Sequence, residues 1–305
     1  MPCPSLTDAA LTTGALIISW LLILLHDQSW GRFLLQTEHP DRCSIINDLN
    51  RLPEAQAVIF HIPTAPKLNR LKKRPGQRWI AFSMESDVNY PQQRNHTYMS
   101  AFDLTMTYHW DSDVPATYLS PHIRSHLALE PVAKTAAAPA ACFVSNSRDK
   151  CLRYEFTREL MRHMNVHSYG KSLRNRKLVH DYGDSSKMET IARHKFTFAF
   201  ENSIAHDYVT EKFFQPLIVG SVPVYRGAPN VDEFAPGQSC FINAAQFRNP
   251  AELAKYLNYL DQHEREYESY LEWKRKPLLP AFLAKAEKVS EPVLSRLCRR
   301  LHETS

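Results

Sequence analysis

Glycine is scarce in this chain, 8 residues in 305, where about 7% is usual. No three glycines fall in a G-x-G-x-x-G pattern and no G-x-x-x-x-G-K-[ST] occurs. A dinucleotide fingerprint and a phosphate-cradling P-loop are therefore both excluded. Cysteine is thin as well, with Cys3, Cys43, Cys142, Cys151, Cys240 and Cys298 forming no C-x-x-C pair. That removes a zinc ribbon and a thioredoxin motif, and the density is too low for a disulfide scaffold. Reduced thiols in a cytosolic protein account for the six equally well. Two H-x-x-x-H spacings, His122 with His126 and His163 with His167, lack the glutamate of a zinc-protease helix. Charge of either sign is never massed: 37 Lys and Arg against 32 Asp and Glu leave +5. That balance suits an anionic ligand or lipid headgroups, and without a basic stripe interleaved with aromatics it does not imply nucleic acid.

Long apolar runs are also missing, with one exception. Ala9 to Leu25 (AALTTGALIISWLLILL) carries no charge and sits at the short edge of the membrane-spanning range. No Lys or Arg precedes it, so the basic flank of a signal anchor is absent. Its end, Ile17 to Leu25, reads as a buried parallel strand, a continuous rather than alternating apolar run. The strand is the favoured reading and a membrane anchor the alternative.

Beyond that run, short β-rich segments alternate with helical patterns. AVIFH (57–61), WIAFS (79–83) and LTMTY (104–108) read as strands, and the spacing of Ile45, Ile46, Leu49 and Leu52 suits a helix face. PVAKTAAAPAA (131–141) breaks the pattern and reads as a linker. A second set then begins with a CFVS strand (142–145), a helix with Leu152, Phe156, Leu160 and Met164 at every fourth position, and strands at 166–169, 196–200 and 222–225. These patterns predict an α/β protein of two domains facing a cleft: 1–130, a linker 131–141, 142–275, and a basic helical tail 276–305.

Chemistry concentrates between Phe198 and Gly227. An apolar strand delivers Glu201, Asn202 and Ser203 at its carboxyl end, the ligand side of an open parallel sheet. Asp207 or Thr210 can cap the next helix, with Glu211 and Lys212 in its first turn. A cation there goes against the helix dipole, which points to a bound phosphate at the N-terminus. A surface Glu-Lys pair is the plain structural alternative. Arg153 opens an earlier helix and could grip a phosphate through its planar fork, or simply face solvent. Glu85 follows the WIAFS strand, placed either as a general base or as a turn cap. Asp111-Ser112-Asp113 matches a D-x-D metal pattern in form, but its setting in TYHWDSD favours a turn.

Taken together, ENSIAHDYVTEKFFQPLIVGSVPVYRGAPNVDEFAP closely resembles the signature of the α1,3/4-fucosyltransferases, glycosyltransferase family 10. GQRWIAFSMES, FDLTMTYHWDSD, FVSNSRDKCLRYEFTREL and VHSYGKS recur in the family's order, and the likeness runs from about Leu21 to Trp273. The resemblance implies two Rossmann-like domains facing across a cleft, the GT-B fold, and inverting transfer of L-fucose from GDP-fucose. The implied acceptor is the 3-hydroxyl of N-acetylglucosamine or glucose in a glycan. It assigns Arg153 and Lys212 to the diphosphate, Asn202, Tyr208 and Glu211 to the donor pocket, and Glu85 to the base.

No cofactor is required on this reading, though divalent activation stays open. Another nucleotide sugar, or an inactive glycan-binding relative, are the alternatives. Asp87 stands where many animal relatives have proline, and only about twenty residues precede the first strand. The expectation is thus a bacterial-type enzyme, cytoplasmic or peripheral at the inner membrane face, with a Golgi membrane location for a eukaryotic chain.

Overall fold

A computed structural model describes residues 21–26, 42–65, 67–146 and 149–303. Within them the chain forms two five-stranded parallel sheets. The first holds β1 (Leu21–Leu25), β2 (Cys43–Ile46), β3 (Ala57–His61), β4 (Arg78–Ser83) and β5 (Leu104–Thr107), in the order β2-β1-β3-β4-β5. The second holds β6 (Ala140–Cys142), β7 (Val166–Ser168), β8 (Phe196–Phe200), β9 (Val222–Arg226) and β10 (Ile242–Asn243), in the order β10-β9-β8-β6-β7. The helices are α1 (His96–Met99), α2 (Ile123–Leu127), α3 (Arg153–His163), α4 (Asp184–Ala192), α5 (Glu211–Val219), α6 (Pro250–Gln262), α7 (Glu264–Ser269), α8 (Pro280–Lys288) and α9 (Val293–Glu303).

The central strands β3 and β8 are buried along their whole length. That is why their sequences are unbroken apolar runs: a parallel strand covered on both faces has no side to leave polar. Leu21–Leu25 is a strand of this kind, an inner strand of the first sheet with four of its five residues buried. The rest of the apolar run, 9–20, lies outside the described residues. Among the described residues no helix is long and apolar enough to cross a membrane.

Several elements differ from the sequence expectation. Residues 43–52, whose spacing suits a helix, form edge strand β2 and a 3-10 turn at Leu49–Arg51; β-branched Ile45 and Ile46 pack better on a half-covered pleat. The strand expected at 142–145 begins earlier, at Ala140, inside the segment read as linker. Ala138, Ala140 and Ala141 are fully buried, and alanine, with neither bulk nor β-branching, gave no strand signal. The boundary at 130 also moves. Leu119, Ile123 and Leu127 of the α2 region pack with Phe213, Phe214 and Leu217 of α5, so they join the second domain's core.

The segment 276–305 is no free tail. Helix α8 packs Phe282 and Ala286 into the second domain's core. Helix α9 then returns to the first domain, burying Leu294, Leu297, Cys298 and Leu301 against Leu21, Ile23, Leu25, Ala57 and Ile59. Their i, i+3, i+4, i+7 spacing gives α9 one apolar stripe, and its basic residues lie on the other face. A disulfide joins Cys43 of β2 to Cys298 across 255 residues of sequence, so not all six thiols are reduced. The remaining described cysteines, Cys142, Cys151 and Cys240, are buried and free.

A crosslink closing so long a loop restricts the unfolded chain. Reduction, or Cys298→Ser, is expected to lower stability by about 2–4 kcal/mol, read as a shift of the denaturant midpoint with and without reductant.

Candidate active site

In the second sheet the chain leaves β6 toward β7 and later resumes at β8 on the other side. The carboxyl ends of β6 and β8 therefore flank the switch point where open α/β sheets bind ligands. Glu201 follows β8 there with no solvent exposure. Its Oε1 accepts from Thr210 N at 2.8 Å and its Oε2 from Thr210 Oγ1 at 2.9 Å. Lys212 Nζ stands 3.5 Å from Oε2, and it donates to Thr210 Oγ1 at 3.0 Å and Glu211 Oε1 at 3.1 Å. Thr210 is the N-cap of α5, its Oγ1 accepting from Lys212 N; Asp207 does not cap. Burial pushes the Glu201 carboxyl up, against the pull of Lys212. Burial works against the Lys212 ammonium, but Glu201 and Glu211 more than offset it and hold its pKa above the ordinary value. Glu211 sits below the usual carboxylate range because Lys212 and Lys187 outweigh its own burial. Gly227 is required beside this cluster, since a Cβ there would fall 2.5 Å from Glu201 Cγ.

Arg153, the first residue of α3, is 3% exposed rather than facing solvent. Its guanidinium spans the switch point, donating to Phe200 O at 3.3 Å and Asn146 O at 2.7 Å. Asp149 fixes the start of the helix: its Oδ1 accepts from Arg153 N at 2.8 Å and its Oδ2 from Tyr154 N at 3.3 Å. The turn between them holds Leu152 at φ +57°, a left-handed conformation that costs a branched side chain about 1–2 kcal/mol. Arg153 lies near enough to Lys212 for the two cations to repel. Two positive groups thus share the carboxyl edge of one sheet, with Asn202 half-buried beside them.

Glu85 comes from the other domain, on the loop after β4. Its backbone is pinned: its N–H donates to Ser83 Oγ at 3.1 Å, its carbonyl accepts from Gln93 Nε2 at 2.9 Å, and the preceding Met84 carbonyl accepts from Tyr118 Oη at 2.9 Å. Burial raises the Glu85 carboxyl most, Lys212 lowers it and Glu211 raises it again, with the nearby Tyr208 hydroxyl adding a smaller lowering effect. Tyr208 is 2% exposed, and its ring meets Tyr108 edge-on at 5.1 Å and Tyr118 at 6.3 Å. Glu85 of the first domain and Tyr208, Glu211 and Lys212 of the second therefore share one site.

The D-x-D segment is a turn. Asp113 Oδ2 accepts from Thr105 N at 2.8 Å and Thr105 Oγ1 at 2.9 Å. Among the described residues the one group of His, Cys or acidic atoms close enough to share a metal is Cys43, Cys298 and His302, and its cysteines are bonded to each other. His167 pairs with His194 at 3.0 Å, not with His163.

Sequence reasoning passed over Glu201 as a functional group, although the ENS motif displayed it. It also missed Asp149, which the i, i+4 spacing to Arg153 could have signalled, and Tyr118 and Lys187, which carried no local signal. Glu201→Gln removes one member of a largely buried ion pair, with Lys212 24% exposed. Stability is expected to fall by roughly 2–3 kcal/mol, less than the 3–5 of a fully buried pair. Glu264→Gln, at the exposed pair with Lys195, should stay within about 0.5 kcal/mol. Chemical denaturation of both variants makes the comparison.

These features can be set beside known proteins. The model of glycosyltransferase family 10 (fucosyltransferase), C-terminal part, matches residues 133–305, and the fucosyltransferase N-terminal model matches 18–119. A GDP-fucose protein O-fucosyltransferase 3 of Gallus gallus is 36% identical over 232 residues, 71% of this chain and 48% of the relative. A 4-galactosyl-N-acetylglucosaminide 3-alpha-L-fucosyltransferase FUT6 of Pan troglodytes is 36% identical over 276 residues, 86% and 72% of the two chains. The chain thus spans about half the length of the first relative and nearly three quarters of the second. A crystal structure of an α1,3-fucosyltransferase with GDP superposes with a TM-score of 0.62 at 16% identity, covering 99% of this chain and 94% of that one; at that identity the likeness is one of fold. With both halves of the family matched in order along its length, the chain belongs to glycosyltransferase family 10, the fucosyltransferases, and has their GT-B fold.

Proposed function

We propose that this fucosyltransferase moves L-fucose from GDP-fucose to a sugar hydroxyl, the 3-hydroxyl of N-acetylglucosamine or glucose in a glycan, with inversion. The observation that carries the proposal is the convergence of the two domains at Tyr118, which holds the carbonyl beside Glu85 at 2.9 Å and packs its ring on Tyr208, just ahead of the helix start bearing Glu211 and Lys212. Inversion in a single displacement needs those two functions on opposite sides of the transferred sugar. The acceptor oxygen attacks C1 of fucose while Glu85 takes its proton. The C1–O bond to the diphosphate breaks and its electron pair leaves with GDP, whose charge Lys212 and Arg153 neutralise. Asn202, Tyr208 and Glu211 hold the ribose and fucose hydroxyls. Fixed cations already serve the leaving group, so the scheme requires no cofactor, and a divalent ion acts at most as an activator.

A second acceptor class has its own support. Several relatives at 32–36% identity are described as GDP-fucose protein O-fucosyltransferase 3, which makes a protein hydroxyl the rival acceptor. A panel of glycans and folded protein domains with GDP-fucose, with linkage analysis of the product, separates the two. Turnover with a UDP-sugar alone would sink the fucosyl reading. For location, the Cys43–Cys298 disulfide supports an oxidising compartment such as the Golgi lumen over a reducing cytoplasm.

Two substitutions divide the labour. Lys212→Ala should weaken GDP binding at least tenfold by calorimetry, whereas Glu85→Gln should leave GDP affinity within about twofold and lower transfer by about 10²–10⁴. Equal loss of GDP affinity in both would refute the assignment. The pH dependence has a defined sign. A base must be ionised, and burial holds Glu85 above the ordinary glutamate value. Transfer should therefore fall as pH is lowered through that raised pKa, so its acid limb lies above the range of an exposed glutamate.

A further inference from the structure

We propose that His109 is a positioning residue that straps the two domains together and so sets the distance between Glu85 and the donor side of the site. This rests on the fucosyl-transfer reading for what is positioned, while the strap itself is visible in the geometry. His109 follows β5 and lies tilted against Tyr108, with ring centroids 4.1 Å apart. Its Nε2 lies 3.9 Å from Asp87 Oδ2 in the first domain and its Nδ1 lies 3.6 Å from Asp207 Oδ2 in the second. Both are polar contacts longer than hydrogen bonds. One imidazole thus stands between two carboxylates from different domains.

Both carboxylates are themselves anchored. Asp87 accepts from Arg94 Nε at 2.7 Å, Arg94 Nη2 at 3.0 Å and Tyr108 Oη at 2.9 Å. Asp207 accepts from Trp110 N at 3.1 Å and Asn230 Nδ2 at 2.9 Å, and His206 Nδ1 stands 3.3 Å from its other oxygen. Burial opposes ionisation of each, but these donors more than compensate and hold both below the usual aspartate range. Asp207 sits at φ +64°, a left-handed conformation a non-glycine residue keeps only when its surroundings hold it there.

The ends of the strap are what make it functional. Asp87 is two residues from Glu85, and Asp207 is the neighbour of Tyr208, whose ring packs on the Tyr118 that holds the Met84 carbonyl beside Glu85. Any slack at His109 therefore passes to the base and to the residue facing it. A displacement of about 1 Å at reacting groups can cost about 10²-fold in rate, so a modest loosening is enough to register.

The test compares His109→Ala, His109→Gln and His109→Arg with the wild-type chain. Transfer kinetics with GDP-fucose, GDP affinity by calorimetry, and hydrogen–deuterium exchange over residues 84–94 and 204–210 are measured for each. His109→Ala and His109→Gln should lower kcat about tenfold or more, leave GDP affinity within twofold, and speed exchange in both segments. His109→Arg, a cation long enough to reach both carboxylates, should recover most of the rate and the protection. Unchanged exchange in His109→Ala, or an arginine variant no better than the alanine one, would overturn the strap. Should the wild-type chain fail to transfer fucose at all, the functional reading falls, and the exchange comparison still decides the strap.

Discussion

A single buried carboxylate organises the donor side of this molecule. Glu201 has no access to water, and an ionised carboxylate in that position is tolerable only with partners on both oxygens. The chain supplies them from the start of α5, through the amide and hydroxyl of Thr210 and the ammonium of Lys212. The consequence runs outward. The N-terminus of α5 is clamped to the end of β8, Lys212 is held at the cleft rim instead of extending into solvent, and Gly227 must lack a side chain so that β9 can pass beside the carboxylate. The anionic group that satisfies Lys212 from inside is thus the reason a second, external anion can be met by a fixed rather than mobile cation.

The acceptor side obeys a different logic. Among the described residues Glu85 has no salt-bridge partner; its loop is held through backbone atoms by Ser83, Gln93 and Tyr118. Its carboxyl is free to respond to what lies across the interface. That interface is aromatic, built by Tyr108, Ala205 and Tyr208 with Val88 and Tyr118 around them. Aromatic rings pack without demanding an exact polar register. The polar contacts around His109, with the Asp207 carboxylate accepting from Trp110 N, add a register that apolar contact leaves undefined.

The sequence disclosed these features unevenly, for physical reasons. Strands β3, β4 and β8 were legible because a strand covered on both faces must be apolar throughout. The helix start at Thr210 was legible because capping uses a short list of residue types. By contrast, Ala140–Cys142 was hidden in an alanine-rich stretch whose residues are small because the sheet centre is crowded there, not because the chain is a linker. The return of α9 to the first domain could not be read locally: the segment showed only a basic helical tail, and the cysteine its Cys298 bonds to lies 255 residues earlier. The pairing of Asp207 with the backbone of Trp110 spans 97 residues and joins two motifs that each looked self-contained. Local chemistry is written locally, and contacts between domains are not. Of the candidate site residues, Glu85, Arg153, Glu211 and Lys212 stood out by position and chemistry, and Asn202 and Tyr208 took their roles from the resemblance, whereas the groups that hold them in place had to be seen.

The return of α9 has a mechanical consequence. The polypeptide passes from the first domain to the second between β5 and β6, and passes back through the few residues between α8 and α9. Two bodies joined at two points have fewer relative motions open to them than two bodies on a single linker. Cys298 lies in the second turn of α9, so the disulfide limits how far the second crossing can lengthen by unwinding that helix. The chain's return is thereby tied to the outermost strand of the first sheet, and not only to the apolar surface beneath it.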